Sequence, residues 1–101
     1  SALFSPDIVA HHEGDHVRLE VRKAAIFSNY LGIKARIFAV DPSKGVVVDL
    51  SSARLVDHSV MQYMQELQAD FTSAGGSFKI TGLERHVPYS DYPTAARRLP
   101  T

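Results

Sequence analysis

The chain has 101 residues, the length of one ordinary domain, and 45% of them are hydrophobic, which favours a packed core over disorder. Lysine plus arginine equals aspartate plus glutamate at 11 each, so charge gives no case for nucleic acid as the main partner. The chain has no cysteine, which excludes disulfides and thiolate catalysis and fits a reducing compartment. We expect one cytoplasmic domain, 1–101, excised from a longer protein because its first residue is not Met.

The N-terminal part has the pattern of a β-hairpin. A short mixed run over 7–12 leads into Glu13-Gly14-Asp15, which is a turn signal. Apolar and charged residues then alternate over 17–22, and a period of two is typical of a half-buried strand.

The next segment changes to helical spacing. The apolar residues of the predicted stripe are Tyr30, Ile33, Ile37 and Val40. Ser28 or Asn29 is expected to cap this helix, because either side chain can accept a bond from a free backbone N–H. Asp41-Pro42 is expected to end it, since proline disfavours the helical conformation in the preceding residue.

The second half of the chain predicts a further strand, helix and strand. The β-branched run 45–50 indicates a central parallel strand covered on both faces, and 51–56 is predicted as a loop. Asp57 is a good N-cap for the strongest helix, which Gly75-Gly76 ends. Residues 77–82 form the last predicted strand. The proline-containing tail is predicted as loop with a short helix over 94–99.

Together these elements predict an α/β fold: a mixed sheet with an N-terminal hairpin, then β-α-β-α-β, and a short C-terminal helix. Crossover connections between parallel strands are right-handed in nearly all proteins, so the parallel strands should be neighbours. Ligands of such sheets bind beyond the carboxyl ends of the strands. Two loops leave that edge, 25–29 and 51–59, and we expect them to lie side by side.

The second loop runs into a helix N-terminus, whose free N–H groups favour an anion or a carboxylate. The candidate residues for binding a partner or anion are Ser28, Asn29, Ser51, Ser52, Asp57, His58 and Ser59. A purely structural interpretation is open too: Asp57 caps the helix, Ser51 and Ser52 turn the chain, and His58 is simply exposed. No catalytic residue, metal ligand or cofactor is predicted.

Several motifs resemble the STAS superfamily, named for sulfate transporters and anti-sigma factor antagonists. Asp49-Leu50-Ser51 followed by Val56-Asp57-His58-Ser59-Val60-Met61 resembles its signature of Asp-Leu-Ser and then Asp-Ser-Ser-Gly at a helix start. Ile26-Phe27-Ser28-Asn29 looks like the Phe-x-Asn loop of SulP-type sulfate permeases, and the tail over 82–98 is also closer to that branch. The resemblance covers about residues 16–83 and implies the STAS fold.

The resemblance also implies a function: a regulatory protein-interaction domain, most simply the cytoplasmic C-terminal domain of a sulfate or anion transporter. A protein partner would bind at the helix start near Asp57, with an anion or nucleotide at the same edge. A free-standing antagonist-like protein is the alternative. In kinase-switched antagonists the phosphorylated serine occupies the position of His58, which argues against a phosphoserine switch here. An imidazole titrates near neutral pH, so His58 could carry the charge instead.

A remote alternative is a small metal-dependent hydrolase. His12-Glu13-Gly14-Asp15-His16 matches the H-E-x-x-H zinc motif, which needs both histidines on one face of a helix. The conformation of 12–16 separates the alternatives, since a hairpin turn here would remove the helical zinc site. Asp57-His58-Ser59 contains the residue types of a hydrolase triad, but successive helix residues diverge too far to act as a relay.

Overall fold

Residues 7–100 are described by the computed structural model, in which a curled mixed sheet packs against two helices. The strands and helices in chain order are β1 (Asp7–Glu13), β2 (His16–Ala25), α1 (Tyr30–Phe38), β3 (Gly45–Asp49), β4 (Ala53–Val56), α2 (His58–Ser73), β5 (Phe78–Thr81), β6 (Val87–Pro88) and β7 (Arg97–Arg98). A single 3₁₀ turn, Phe27–Asn29, precedes α1. The predicted mixed α/β class is confirmed. Within residues 7–100, no helix is both long and apolar enough to cross a membrane.

The predicted hairpin is confirmed. β1 and β2 are antiparallel, with Glu13 opposite His16, and a two-residue turn joins them. Gly14 adopts a φ of 74° in that turn, a conformation that glycine enters without steric cost.

β2 is the strand around which the sheet is organised. Residues 16–20 pair in parallel with β3, and residues 23–25 pair in parallel with β4. Within the pairing with β4 the register shifts between Lys23 and Ala24, and Lys23 has a φ of 64°, so this point is a β-bulge. Bulges bend a strand and increase its twist, so β2 can pair with β3 over its first part and with β4 over its last part. β3 also pairs in parallel with β5, as the crossover prediction requires.

The prediction of a loop over 51–56 is wrong, because Ala53–Val56 forms β4. Ala53 and Val56 are fully buried, and β4 lies between β2 and β7. A strand of four residues is too short to display a periodicity, so only its pairing with β2 defines it.

The prediction that β3 is covered on both faces is also wrong. Its residues alternate, with Val46 and Val48 buried and Val47 half-buried. β-branched residues suit any pleated, half-buried surface, so a Val-rich run does not establish a second covering layer.

The short helix predicted over 94–99 is absent. Arg97–Arg98 instead forms β7, which pairs with both β4 and β6. The N–H of Leu99 also donates to the carbonyl of Arg54 at 2.9 Å. These backbone bonds to the edge of β4 outweigh the weak helical preference that Pro93 suggested.

The core lies between the helices and one face of the sheet. The buried stripe of α1 is Tyr30, Ile33 and Ile37, and that of α2 is Val60, Met61, Met64 and Leu67. The helices run side by side in the same direction: the rings of Tyr30 and Tyr63 are 4.6 Å apart near one end, and those of Phe38 and Phe71 are 5.5 Å apart near the other. α1 ends at Phe38, two residues before the end of the predicted apolar stripe.

Gly82, directly after β5, sits where no other residue fits. Its φ is 88°, and a Cβ there would lie 2.4 Å from the backbone nitrogen of Ser51 and 2.7 Å from Oδ1 of Asp49. The turn after β3 and the end of β5 therefore approach so closely that only glycine is accommodated.

We expect Gly82→Ala to lower the free energy of unfolding by about 3 kcal/mol, because it combines left-handed strain with a backbone clash. Gly75→Ala is the matched control: its φ is 83°, but nothing lies within 4 Å of the added Cβ. The control should lose only about 1 kcal/mol. Chemical denaturation of both variants measures this difference, and equal losses would contradict the close approach at Gly82.

Candidate functional site

Of the two loops expected to lie side by side, 25–29 and 51–59, the first contacts only the end of the second, residues 57–59. The N–H of Asp57 donates to the carbonyl of Ala25 at 3.0 Å, which continues the pairing of β4 with β2. The N–H of Phe27 donates in return to Oδ2 of Asp57 at 2.7 Å. We call the surface formed by residues 25–29 and 57–59 the rim.

Asp57 caps α2 as predicted. Its Oδ1 accepts a hydrogen bond from the N–H of Val60 at 2.9 Å. Since Oδ2 accepts from Phe27, both carboxylate oxygens are committed to backbone N–H groups of two different segments. The carboxylate also places negative charge at the positive end of the α2 dipole, where it is stabilising.

The assignment of Ser28 or Asn29 as the side-chain cap of α1 is wrong. Asn29 occupies the N-cap position, but its side chain makes no capping bond to the helix. Its Oδ1 accepts from the N–H of Ile26 at 3.0 Å, and its Nδ2 donates to the carbonyl of Ala24 at 2.9 Å. The Asn29 side-chain amide therefore stabilises the conformation of the loop that contains it. Ser28 is exposed on the 3₁₀ turn.

Ser51 and Ser52 are not part of the rim, contrary to the expectation that all seven candidates share one edge. They precede β4, whereas Asp57 follows it, and the strand's length separates them by roughly 10 Å or more. The N–H of Ser51 donates to Oδ1 of Asp49, and the hydroxyl of Ser52 donates to Oε2 of Glu20, both at 2.9 Å. Their role in these contacts is to shape the turn after β3.

His58 is exposed at the first position of α2 and contacts the C-terminal segment. Its Nδ1 lies 2.8 Å from the carbonyl oxygen of Thr94 and 3.1 Å from the Thr94 hydroxyl, which assigns an Nδ1–H donor to the carbonyl. A shallow cavity of about 510 Å³ beside it is lined in part by Tyr89 and Tyr92, which are 63% and 76% exposed. Ser59 is half-buried next to His58.

The sheet face that lacks helices carries a network of charged side chains. Arg18 contacts Glu13 at 3.1 Å and Asp49 at 2.9 Å, while His11 contacts Glu20 at 2.9 Å. Burial alone would raise the pKa of Asp49, but hydrogen bonds from Ser51 and the ion pair with Arg18 outweigh it and hold this pKa below its usual value. The hydrogen bond from His11 is the main cause of a lowered pKa at Glu20.

The H-E-x-x-H segment lies in the β1–β2 hairpin and not on a helix. Directly opposed residues share a face of the sheet, so Glu13 and His16 project to one side and His12, opposite Val17, to the other. The two histidines therefore cannot hold one metal ion. No three His, Asp or Glu side chains are grouped as a metal site anywhere in the described range 7–100.

Comparison with known proteins gives a likeness of fold. No family model matches the chain, and no curated protein matches it. Among solved structures, that of the protein Mglu ("Crystal Structure Analysis of Mglu") matches 76% of this chain with a TM-score of 0.65 and 18% identity. The chain spans only 20% of the length of that protein, and at this identity the match supports the α/β architecture alone.

Graded substitutions at Asp57 separate its two hydrogen bonds. Asp57→Asn keeps one carbonyl oxygen for Val60 but has no acceptor for Phe27, and we expect it to lose about 1 kcal/mol of unfolding free energy. Asp57→Ala loses both acceptors and should lose about 2–3 kcal/mol. Denaturation measures both, with the exposed Asp91→Ala as control. Identical losses for Asn and Ala would show that only one of the two bonds matters.

The lowered pKa of Asp49 predicts acid sensitivity. The ionised form is favoured by folding, so its stabilisation is present above the ordinary pKa of an aspartate and is lost as pH falls through the lower folded value. Unfolding free energy measured from pH 6 to pH 2 should fall more steeply in the wild type than in Asp49→Asn, which does not titrate. Parallel curves for the two proteins would contradict the prediction.

Proposed function

We propose that this chain is a STAS-type domain that binds a protein partner at the rim and regulates it. We further propose that it is the cytoplasmic C-terminal domain of a sulfate or other anion transporter. The observation that carries the proposal is the rim: two loops that follow parallel strands of the sheet are joined at one edge through Asp57. Binding sites in open α/β sheets occur at such an edge.

The two most specific parts of the signature have physical roles in this chain, which supports the family proposal. Asp49 accepts the N–H of Ser51 and the Arg18 guanidinium, so it closes the turn after β3. Asp57 joins the rim and caps α2. In such a family the motif residues that stabilise the turn and the rim would stay the same. The exposed side chains of the rim would differ between members that bind different partners.

The chemistry of the rim favours a protein partner over a free anion. Phe27 is 64% exposed, and Ser28 and His58 are also exposed, which gives a mixed apolar and polar surface. Aromatic residues are enriched in protein–protein interfaces. The Asp57 carboxylate already occupies the positive end of α2, and it would repel a second negative charge. The anion or nucleotide implied by the family resemblance is therefore the second candidate ligand.

The alternative within the same family is a free-standing antagonist-like protein. The encoding reading frame separates the two forms: membrane spans in the same frame would make this a transporter domain, and a stand-alone frame would favour the antagonist. In either form we assign no catalysis to the chain, and the hairpin conformation of residues 12–16 removes the geometric basis for the hydrolase alternative.

Partner capture tests the rim. Asp57→Lys is unsuitable for this purpose because it would break the bonds that join the loops. We expect instead that Ser28→Arg combined with His58→Glu, both at exposed positions, keeps the fold and abolishes capture of the partner from cytosol and solubilised membranes of the source cell. Lys79→Glu, an exposed charge reversal on β5 outside the rim, is the control and should retain the partner.

Circular dichroism verifies that both variants fold. If the rim variant retains every partner that the wild type captures, the surface is wrongly placed. Measuring wild-type affinity at pH 6 and pH 8 tests the further hypothesis that His58 is a switch. Equal affinities at the two pH values would remove His58 as a switch and leave the rim intact.

A further inference from the structure

A cavity of about 330 Å³ opens between the start of α1 and the second turn of α2. Its five lining residues include three aromatic side chains and no charged one: they are Phe27, Ser28, Tyr30, Leu31 and Tyr63. Phe27 and Ser28 also belong to the rim, so the cavity and the rim form one continuous surface. The volume is near the lower limit of the roughly 300–1,000 Å³ that is typical of small-ligand pockets. A single side chain of a partner therefore suits this cavity in size.

Aromatic rings form most of the cavity wall. The rings of Tyr30 and Tyr63 are in contact, with centroids 4.6 Å apart, and Tyr30 is only 9% exposed. Phe27 and Leu31 border this inner pair and are 64% and 77% exposed. The faces of aromatic rings attract cations, and the planar guanidinium of arginine also stacks on them. The wall is therefore suited to a planar cation with an apolar stem.

The charge acting on the inner part of the cavity is negative. Burial raises the pKa of the Tyr30 hydroxyl above its usual value, and the charge of Glu66 and the neighbouring Tyr63 raise it further. The Glu66 carboxylate is thus within electrostatic range of the cavity. Glu66 is exposed, and it forms no ion pair with any residue between 7 and 100. Lys34 follows Tyr30 by one turn of α1 but is not paired with Glu66.

A second carboxylate lies at the outer side of the cavity. Asp57 accepts the backbone N–H of Phe27 at 2.7 Å, and the Phe27 side chain lines the cavity. His58 contacts Thr94 instead and is not a lining residue. Among residues 7–100, no lysine or arginine lines this cavity. Its surroundings therefore favour a cation over an anion.

We propose that the cavity binds an arginine side chain of the protein partner. The aromatic wall would contact the guanidinium and its apolar stem, and the carboxylates of Glu66 and Asp57 would attract its charge. An acidic side chain would be repelled by both carboxylates, and an aliphatic one would gain nothing from them. The choice of a partner's side chain rests on the proposed function, whereas the preference for a guanidinium is a property of this chain alone.

A matched pair of small probes tests the cavity without the partner. N-acetyl-arginine methylamide presents a guanidinium, and N-acetyl-citrulline methylamide presents a neutral group of nearly the same shape. In an NMR titration of labelled protein, the arginine probe should give saturable shifts at Phe27, Leu31 and Tyr63, with a Kd on the order of 1 mM. The citrulline probe should bind at least about threefold more weakly. Equal affinities, or no saturable shift at these residues, would overturn the proposal.

Substitutions identify the source of the preference. Glu66→Gln removes the charge but keeps the size of the side chain, and it should weaken binding of the arginine probe about threefold. Asp70→Asn, the same change one turn further along α2, is the control and should bind the probe like the wild type. Phe27→Leu removes an exposed ring and should also weaken binding about threefold. With folding verified by circular dichroism, unchanged affinity in both Glu66→Gln and Phe27→Leu would overturn the site.

Partner capture separates this inference from the proposed function. The double variant Phe27→Leu with Glu66→Gln should bind the captured partner about tenfold more weakly than the wild type. If it binds normally while the rim variant does not, the rim is correct and the arginine site is wrong. If the arginine probe binds as expected while the rim variant retains every partner, the proposed function is wrong and the preference of the cavity for a guanidinium is confirmed.

Discussion

The carboxylate of Asp57 accepts backbone N–H groups from two segments, the first turn of α2 and Phe27, which lies 30 residues before Asp57 in sequence. Each bond satisfies a donor that the end of a regular element would otherwise leave free. Together with the bond from the Asp57 N–H to Ala25, they hold the exit of β2 against the exit of β4. The position of the rim therefore depends on this side chain together with the pairing of β4 with β2.

Elements with a strong local signal could be predicted from the sequence. The alternation in β2, the turn at Gly14 and the apolar stripes of α1 and α2 each depend on neighbouring residues. β4 and β7 could not be predicted, because strands of four and two residues carry no period and exist only through pairing with distant strands. β3 could be identified as a strand, but a Val-rich run does not reveal whether one face or both are covered.

The site was predictable to a similar extent. Helix-capping rules identify Asp57, and strand topology brings its loop beside residues 25–29. Those rules do not reveal that its second oxygen binds Phe27, because that bond is long-range. A loop over 51–56 would bring Ser51 and Ser52 to the rim, but β4 separates them from it. The contact of His58 with Thr94 also has no local signal, because the two residues are far apart in sequence. Tyr89 and Tyr92 lie in a proline-containing tail, and both are exposed beside His58.

The account places a binding surface at the rim, and the rim requires loops 25–29 and 57–59 to be in contact in solution. Nuclear Overhauser spectroscopy on the labelled protein tests this contact most directly. We predict cross-peaks between the amide proton of Phe27 and the β-protons of Asp57, and between the amide proton of Asp57 and the α-proton of Ala25. Their absence in a folded protein with assigned resonances would contradict the joined rim.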